Sequence, residues 1–190
     1  MYKQCETEQS AARQRELEQG LLEVMLQHRY EDISVSDLCQ TLGVPRKTFY
    51  RYFSGKDGAL YALIDHTFMG FDNFGEDLEM AVKSDAAKQY MEQVFRYWIH
   101  CKPLLDALER SGISGLLVQR AIDYSRELDL LPGFLTNRDK QLQKYATMFA
   151  VCGMMTMIVQ WHHDGFAMEP KQMADLALQL FAKPMFVGIS

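Results

Sequence analysis

A chain of 190 residues that is 48% apolar has room for one or two domains and enough apolar mass to bury a core, which excludes disorder over most of its length. Cys5, Cys39, Cys101 and Cys152 are widely spaced and form no C-x-x-C pair. Structural zinc and a disulfide framework are therefore unsupported, and reduced thiols in a cytoplasm fit best. The formal charge of −5 argues against a protein that simply coats nucleic acid, although a local patch acts in spite of the total.

Met1 to Arg15 is polar and lacks the apolar region of a signal peptide. Helical spacing then dominates, and strand-like alternation is nearly absent, so the reading is an all-α fold of about nine helices. The first helix spans about Thr7 to His28, with Leu17, Leu21, Val24 and Met25 on one face. Ser34-Val35-Ser36-Asp37 has the S-x-x-D form of a capping box, in which Ser34 starts a short second helix and Asp37 favours its positive end. That helix runs through Leu42 and stops at Gly43, because glycine adopts the left-handed cap cheaply. Pro45 suits the first turn of a third helix, Pro45 to Tyr52. Ser54-Gly55-Lys56-Asp57 repeats the S-x-x-D start for a longer fourth helix. Such short helices are unstable alone. They must pack through Leu21, Met25, Ile33, Val35, Leu38, Leu42, Phe49 and Phe53 into a compact three-helix head.

The fourth helix is expected to continue, kinked near Gly70 to Gly75, as far as Val82. A fifth spans about Asp85 to Cys101 and a sixth Pro103 to Arg110, broken by Ser111-Gly112. The seventh covers Ile113 to Leu130 and ends at Leu131-Pro132-Gly133; the eighth spans Asn137 to His163 and the ninth Glu169 to Phe181. This gives two domains, a head over residues 1–55 and a larger helical domain over 56–190. The most apolar window, Ala146 to Trp161, is shorter than the ~20 residues that span a bilayer and is interrupted by Thr147, Thr156 and Gln160. It reads as a buried helix of a soluble protein with no membrane partner.

Residues 1–60 carry eight Lys/Arg and nine Asp/Glu, yet every charge between Leu38 and Lys56 is positive: Arg46, Lys47, Arg51 and Lys56. The same stretch has the grammar of a helix-turn-helix, whose second helix enters the major groove and needs a tight turn with polar groups on its outer face. Gly43 and Val44 make the turn. Arg46, Lys47, Thr48, Tyr50 and Arg51 supply donors outward, while Phe49 and Phe53 point inward. Tyr50 and Tyr52 have packing between helices as an alternative.

The string from Ile33 to Asp57, with G-V-x-x-x-T-F-Y-x-Y-F followed three residues later by K-D, resembles the TetR/AcrR family of transcriptional regulators. The resemblance covers residues 13–64 and weakens beyond them. It implies that Thr48 and Tyr50 bond backbone phosphates of double-stranded operator DNA, that Lys56 takes another beside the start of the fourth helix, and that Ser36 touches the backbone. Arg46 and Lys47 would face base edges, and Arg51 either bases or backbone. The chain departs from the family pattern at Pro45, often a capping serine, and at Lys47, usually glycine or alanine. Gly58 and Ala59 thin the apolar start of the fourth helix.

The resemblance also implies a homodimer formed through the last two helices and a ligand cavity among helices four to seven. Two apolar stripes on the eighth helix fit a helix buried on both sides. One holds Leu142, Phe149, Gly153, Met157 and Trp161, and the other Tyr145, Met148, Cys152, Met155 and Val159. The ninth repeats the doubling, with Met173, Leu176 and Leu180 against Ala174, Leu178 and Phe181. Gly153, Met157, Trp161, Leu176 and Leu180 are the expected dimer contacts, with a central core helix as the alternative. Phe68, Met91, Phe95, Trp98 and Tyr124 are the expected lining for a partly apolar small molecule, with plain core as the alternative. His66, His100, His162 and His163 suggest no metal site, since adjacent histidines on a helix point apart. Cys39 reads as a small buried hydrophobe or an oxidation sensor. No cofactor is implied, and no phosphate loop, metal cluster or nucleophile-base pattern suggests an enzyme. The expected function is a ligand-responsive repressor that binds a near-palindromic operator as a dimer. The alternative is a ligand-independent DNA-binding protein of the same fold, as in chromosome organisation.

Overall fold

The computed structural model describes residues 1–74, 86–127 and 140–182. Among them are nine α-helices: α1 (Glu8–Met25), α2 (Val35–Thr41), α3 (Arg46–Tyr52), α4 (Lys56–Phe74), α5 (Ala86–His100), α6 (Lys102–Arg110), α7 (Gly115–Glu127), α8 (Lys140–His163) and α9 (Pro170–Ala182). The expected all-α class and the helical head hold. A short 3-10 helix, Tyr30–Asp32, was not foreseen. The expected continuation to Val82, the start near Asp85, the break at Leu131-Pro132-Gly133 and the start at Asn137 lie outside the described residues.

Local signals account for most of the head's boundaries. Thr7 caps α1 by accepting from the Ser10 N–H at 3.2 Å, and Ser34 caps α2 by accepting from the Asp37 N–H at 3.1 Å. Asp37 answers through its carboxylate, which accepts from the Ser34 hydroxyl at 2.6 Å. Gly43 has φ +63, the left-handed value that favours glycine. The second S-x-x-D works differently from the expectation: the Ser54 hydroxyl donates to the Met1 carbonyl at 2.8 Å.

Two compact units are present: residues 1–68 with 103–120, and residues 69–102 with 121–190. The first unit buries Leu17, Leu21, Met25, Leu38, Phe49, Phe53, Leu60, Ile64, Leu108 and Leu117 almost completely. Each such side chain contributes about 1.5–3 kcal/mol on burial. That burial holds α2 and α3, only seven residues each, in place. Ile33 joins this core, while Val35 and Leu42, also expected inside, are only half-buried. A Cβ at Gly20 would meet the Leu42 methyl groups, so a larger residue there would have to displace that side chain.

A buried polar group sits inside the first unit. Arg120 donates to both oxygens of Asp65, from Nε at 2.9 Å and Nη2 at 2.5 Å, and the Tyr2 hydroxyl donates to Asp65 at 2.8 Å. The Glu18 carboxylate meets His66 Nδ1 at 2.8 Å, and burial pushes the Glu18 carboxyl above its usual range.

In the second unit α5 packs on α9, and Phe95 meets Trp161 edge-to-face at 5.4 Å. The C-terminal part of α8 faces inward through Met154, Met155, Ile158, Trp161 and His162. This inward face crosses both expected stripes. Trp161, expected at a dimer contact, is 3% exposed and donates from Nε1 to the Met168 carbonyl at 3.0 Å, so it belongs to its own core. Leu142, Tyr145 and Phe149 of α8 and Leu176 and Leu180 of α9 are exposed instead, and Gly153 and Met157 are half-exposed. By length and composition α8 is also the one helix among the described residues that could cross a membrane, and little of its most apolar stretch is buried. Within the single chain the N-terminal half of α8 therefore keeps its apolar groups exposed.

Candidate nucleic-acid interface

The helix α3 begins after Pro45, whose φ of −62 and ψ of 139 direct the chain into the first turn. Proline offers no capping side chain, and none caps this helix. The spacing of four then builds two outward rows, Arg46 with Tyr50 and Lys47 with Arg51. All four are exposed, and the Arg46 guanidinium lies 5.9 Å from the centre of the Tyr50 ring. The opposite side carries Phe49 and Tyr52, 0% and 5% exposed, with Phe49 against Phe53 at 5.1 Å. Packing therefore accounts for Tyr52, whereas Tyr50 is 48% exposed. Thr48 is half-buried between the two sides, and Ser36 is exposed in the first turn of α2.

No carboxylate pairs with Arg46, Lys47 or Arg51 among the described residues. Cations left without acids on an exposed helix face set up a positive field that attracts phosphate. Arg51 is the most restrained of them. Its guanidinium lies 5.0 Å from the Tyr52 ring centre and donates to the Tyr52 hydroxyl at 3.2 Å.

Lys56 is placed differently from the expectation. Its ammonium donates to the carbonyls of Tyr30 at 2.7 Å, Glu31 at 3.2 Å and Ile33 at 2.7 Å, and sits 4.5 Å from the Tyr30 ring centre. An ammonium has three donors. All three are used, so Lys56 clamps the α1–α2 connection and has none left for a phosphate. A lysine at the first residue of a helix opposes the helix dipole. That mismatch was the available sign that Lys56 serves a tertiary contact.

The other expected positions are also located. Met91, Phe95, Trp98 and Tyr124 are buried in the second unit, and Phe68 is buried in the first. An open groove of about 470 Å³ in the first unit is lined by Tyr30, Asp57, Leu60, Tyr61, Ile113 and Leu116, among others, and by none of those five. Cys39 is buried, and burial raises its thiol above the ordinary range, which disfavours the thiolate an oxidation sensor needs. His66 faces Glu18, His100 Nδ1 lies 2.8 Å from the Arg96 carbonyl, and His162 is buried against Phe166.

Sequence reasoning missed the first three residues. The Lys3 N–H donates to the Tyr52 carbonyl at 2.9 Å, the Ser54 N–H donates to the Met1 carbonyl at 3.1 Å, and Tyr2 pairs with Phe53 as an isolated antiparallel bridge. Such a contact spans about fifty residues and leaves no local pattern to find.

Residues 20–63 match the family model described as bacterial regulatory proteins, tetR family. Comparison with curated proteins finds no match. Among solved structures, the chain resembles the dihydroxyacetone kinase operon activator DhaS, with a TM-score of 0.55 and 13% identity over 90% of this chain and 94% of that one. It also resembles the fatty acid degradation regulator FadR from Bacillus halodurans, with a TM-score of 0.58 and 14% identity over 91% and 96% of the two chains. At such low identity these likenesses establish a shared fold.

Proposed function

We propose that this chain, whose residues 20–63 match the tetR family of bacterial regulatory proteins, is a ligand-responsive repressor acting as a homodimer on a near-palindromic operator. The observation that carries the reading is the outward face of α3, where Arg46, Lys47, Tyr50 and Arg51 stand exposed while Phe49 and Tyr52 anchor the helix from behind. Arg46 and Lys47 read base edges; Thr48, Tyr50 and Ser36 position the head on the phosphates. Arg51 stays with the backbone contacts, because its stacking on Tyr52 fixes it at the helix margin.

Dimerisation is supported by the apolar groups that α8 and α9 leave exposed, Leu142, Tyr145, Phe149, Leu176 and Leu180. Grouped apolar side chains on a surface mark an interface. A second copy covers them, and two heads then reach successive major grooves about one helical turn apart. The working place of such a regulator is the cytoplasm, and covering this face by a second copy leaves no role for a membrane. Repression needs only occupancy of the promoter, whereas activation requires a further contact to polymerase. The named relatives include an operon activator, so this choice rests on the simpler mechanism.

The proposed effector is small and partly apolar. Its contacts come from the buried aromatic and methionine groups Met91, Phe95, Trp98 and Tyr124 of the second unit. It acts by favouring an arrangement of the heads that no longer fits two half-sites. The test is footprinting of the full chain on duplexes it selects from a random pool. Two protected half-sites about one turn apart, occupied by two chains, support the reading. A single protected patch bound by one chain overturns the dimeric operator model.

A further inference from the structure

Residues 1–3 lie along the end of the recognition helix and the start of α4. The Met1 carbonyl accepts from the Ser54 N–H and hydroxyl, and the Lys3 N–H donates to the last carbonyl of α3, that of Tyr52. Between them, Tyr2 turns inward. Its ring stands edge-on to His66 at 5.8 Å, and its hydroxyl donates to the buried Asp65, itself held by both arms of Arg120. Hydrogen bonds to a buried, paired carboxylate are the strong kind, so this anchor is firm. Gly58 leaves the space the segment occupies, because a Cβ there would overlap the Met1 carbonyl.

Alternation along an extended segment sends successive side chains to opposite sides. With Tyr2 inward, Lys3 must point outward, and it is exposed. Its Cα is fixed one hydrogen bond from the end of the helix that carries Arg46, Lys47, Tyr50 and Arg51. No acid pairs with Lys3 among the described residues.

We propose that residues 1–3 form a strap that delivers the Lys3 ammonium to a backbone phosphate of the bound duplex, beside the recognition helix. The contact rests on the DNA-binding reading above and adds a group outside the helix-turn-helix. It carries no sequence information, because a phosphate is the same at every step. Its signature is therefore affinity that depends on salt, without a change in base preference.

The test uses the full chain and a duplex selected from random DNA by the wild type. Affinity is measured across a range of salt for the wild type, Lys3→Gln, Gly58→Ala, their combination, and Lys171→Gln as an exposed cation on α9. One phosphate contact contributes about 0.9 to the slope of log affinity against log salt. For each bound chain, Lys3→Gln is expected to lower the slope by about that amount and to weaken binding roughly five-fold at about 0.15 M salt. Gly58→Ala displaces the strap while favouring the helix, so it should reproduce the loss, and the double variant should lose no more than either single one. Lys171→Gln should match the wild type.

Equal slopes for Lys3→Gln and wild type would overturn the proposal while leaving DNA binding intact. So would an equal loss in Lys171→Gln, which would mark a generic charge effect, or an unchanged slope in Gly58→Ala. A wild type that binds no duplex would remove the DNA-binding reading and this contact together.

Discussion

Replacing Lys56 by methionine separates its two possible roles, because one acts in the absence of DNA and the other only in its presence. Methionine keeps the length of the side chain and its packing while removing the ammonium. Three hydrogen bonds disappear, two to the partly buried carbonyls of Tyr30 and Ile33 and one to the exposed carbonyl of Glu31, together with the cation above the Tyr30 ring. Hydrogen bonds to a charged group contribute about 1.5–3 kcal/mol each when water cannot replace them. The Glu31 carbonyl turns to water and counts for little, and the two partly buried carbonyls recover some hydration. About 1–1.5 kcal/mol for each of those two, and about 0.5–1 kcal/mol for the ring contact, give a loss of about 2.5–4 kcal/mol. For a chain of this size that lowers Tm by roughly 5–16 °C. Urea unfolding of the free protein should show the midpoint falling at constant slope. A variant as stable as wild type that instead loses about one phosphate in its salt slope would refute the clamp and restore Lys56 to the DNA contacts.

Three further outcomes follow from single side chains. Burial raises the Glu18 carboxyl, so the protonated form is favoured by folding; its contribution is full below the ordinary value of 4.5 and is lost as pH rises through the folded value. Glu18→Gln should therefore remove a decline of stability above that range, seen as a flatter Tm profile, and a profile parallel to wild type would contradict it. Phe149→Glu places a charge on the exposed apolar face of α8 and should leave a folded chain of single mass in light scattering at micromolar concentration; an unchanged dimer mass would move the interface elsewhere. Asp65→Ala removes the carboxylate that accepts from Arg120 and from the Tyr2 hydroxyl and should cost about 3–5 kcal/mol, measured by denaturant unfolding; a loss under about 1 kcal/mol would show that water replaces the carboxylate.

What was legible in the sequence was local. Ser34, Asp37 and Gly43 announced the bounds of α2 through caps that need only neighbouring backbone. The spacing of Phe49 and Phe53 against Arg46, Lys47 and Tyr50 separated the two sides of α3. What escaped was tertiary. Nothing near Tyr2 indicates a bridge to Phe53, and the S-x-x-D at Ser54 looks identical whether its hydroxyl caps a helix or meets Met1. The two apolar stripes of α8 failed in a similar way: a helix apolar around most of its circumference does not encode which side turns inward. Trp161 went to the core because it meets Phe95 and Phe166, contacts set by elements elsewhere in the chain. Domain limits have the same origin, since the compactness of residues 103–120 with the head arises from packing that no local motif records.

The central claim is that α3 reads duplex DNA through Arg46 while Tyr50 holds the backbone. The direct measurement is the binding of wild type, Arg46→Ala and Tyr50→Phe to a library of variants of the selected duplex. Wild type should enrich one sequence, Arg46→Ala should relax preference at particular base pairs by about 1–3 kcal/mol, and Tyr50→Phe should weaken every sequence alike. Uniform weakening by both variants would contradict the assignment of roles, and a wild type that enriches no sequence would contradict the account itself.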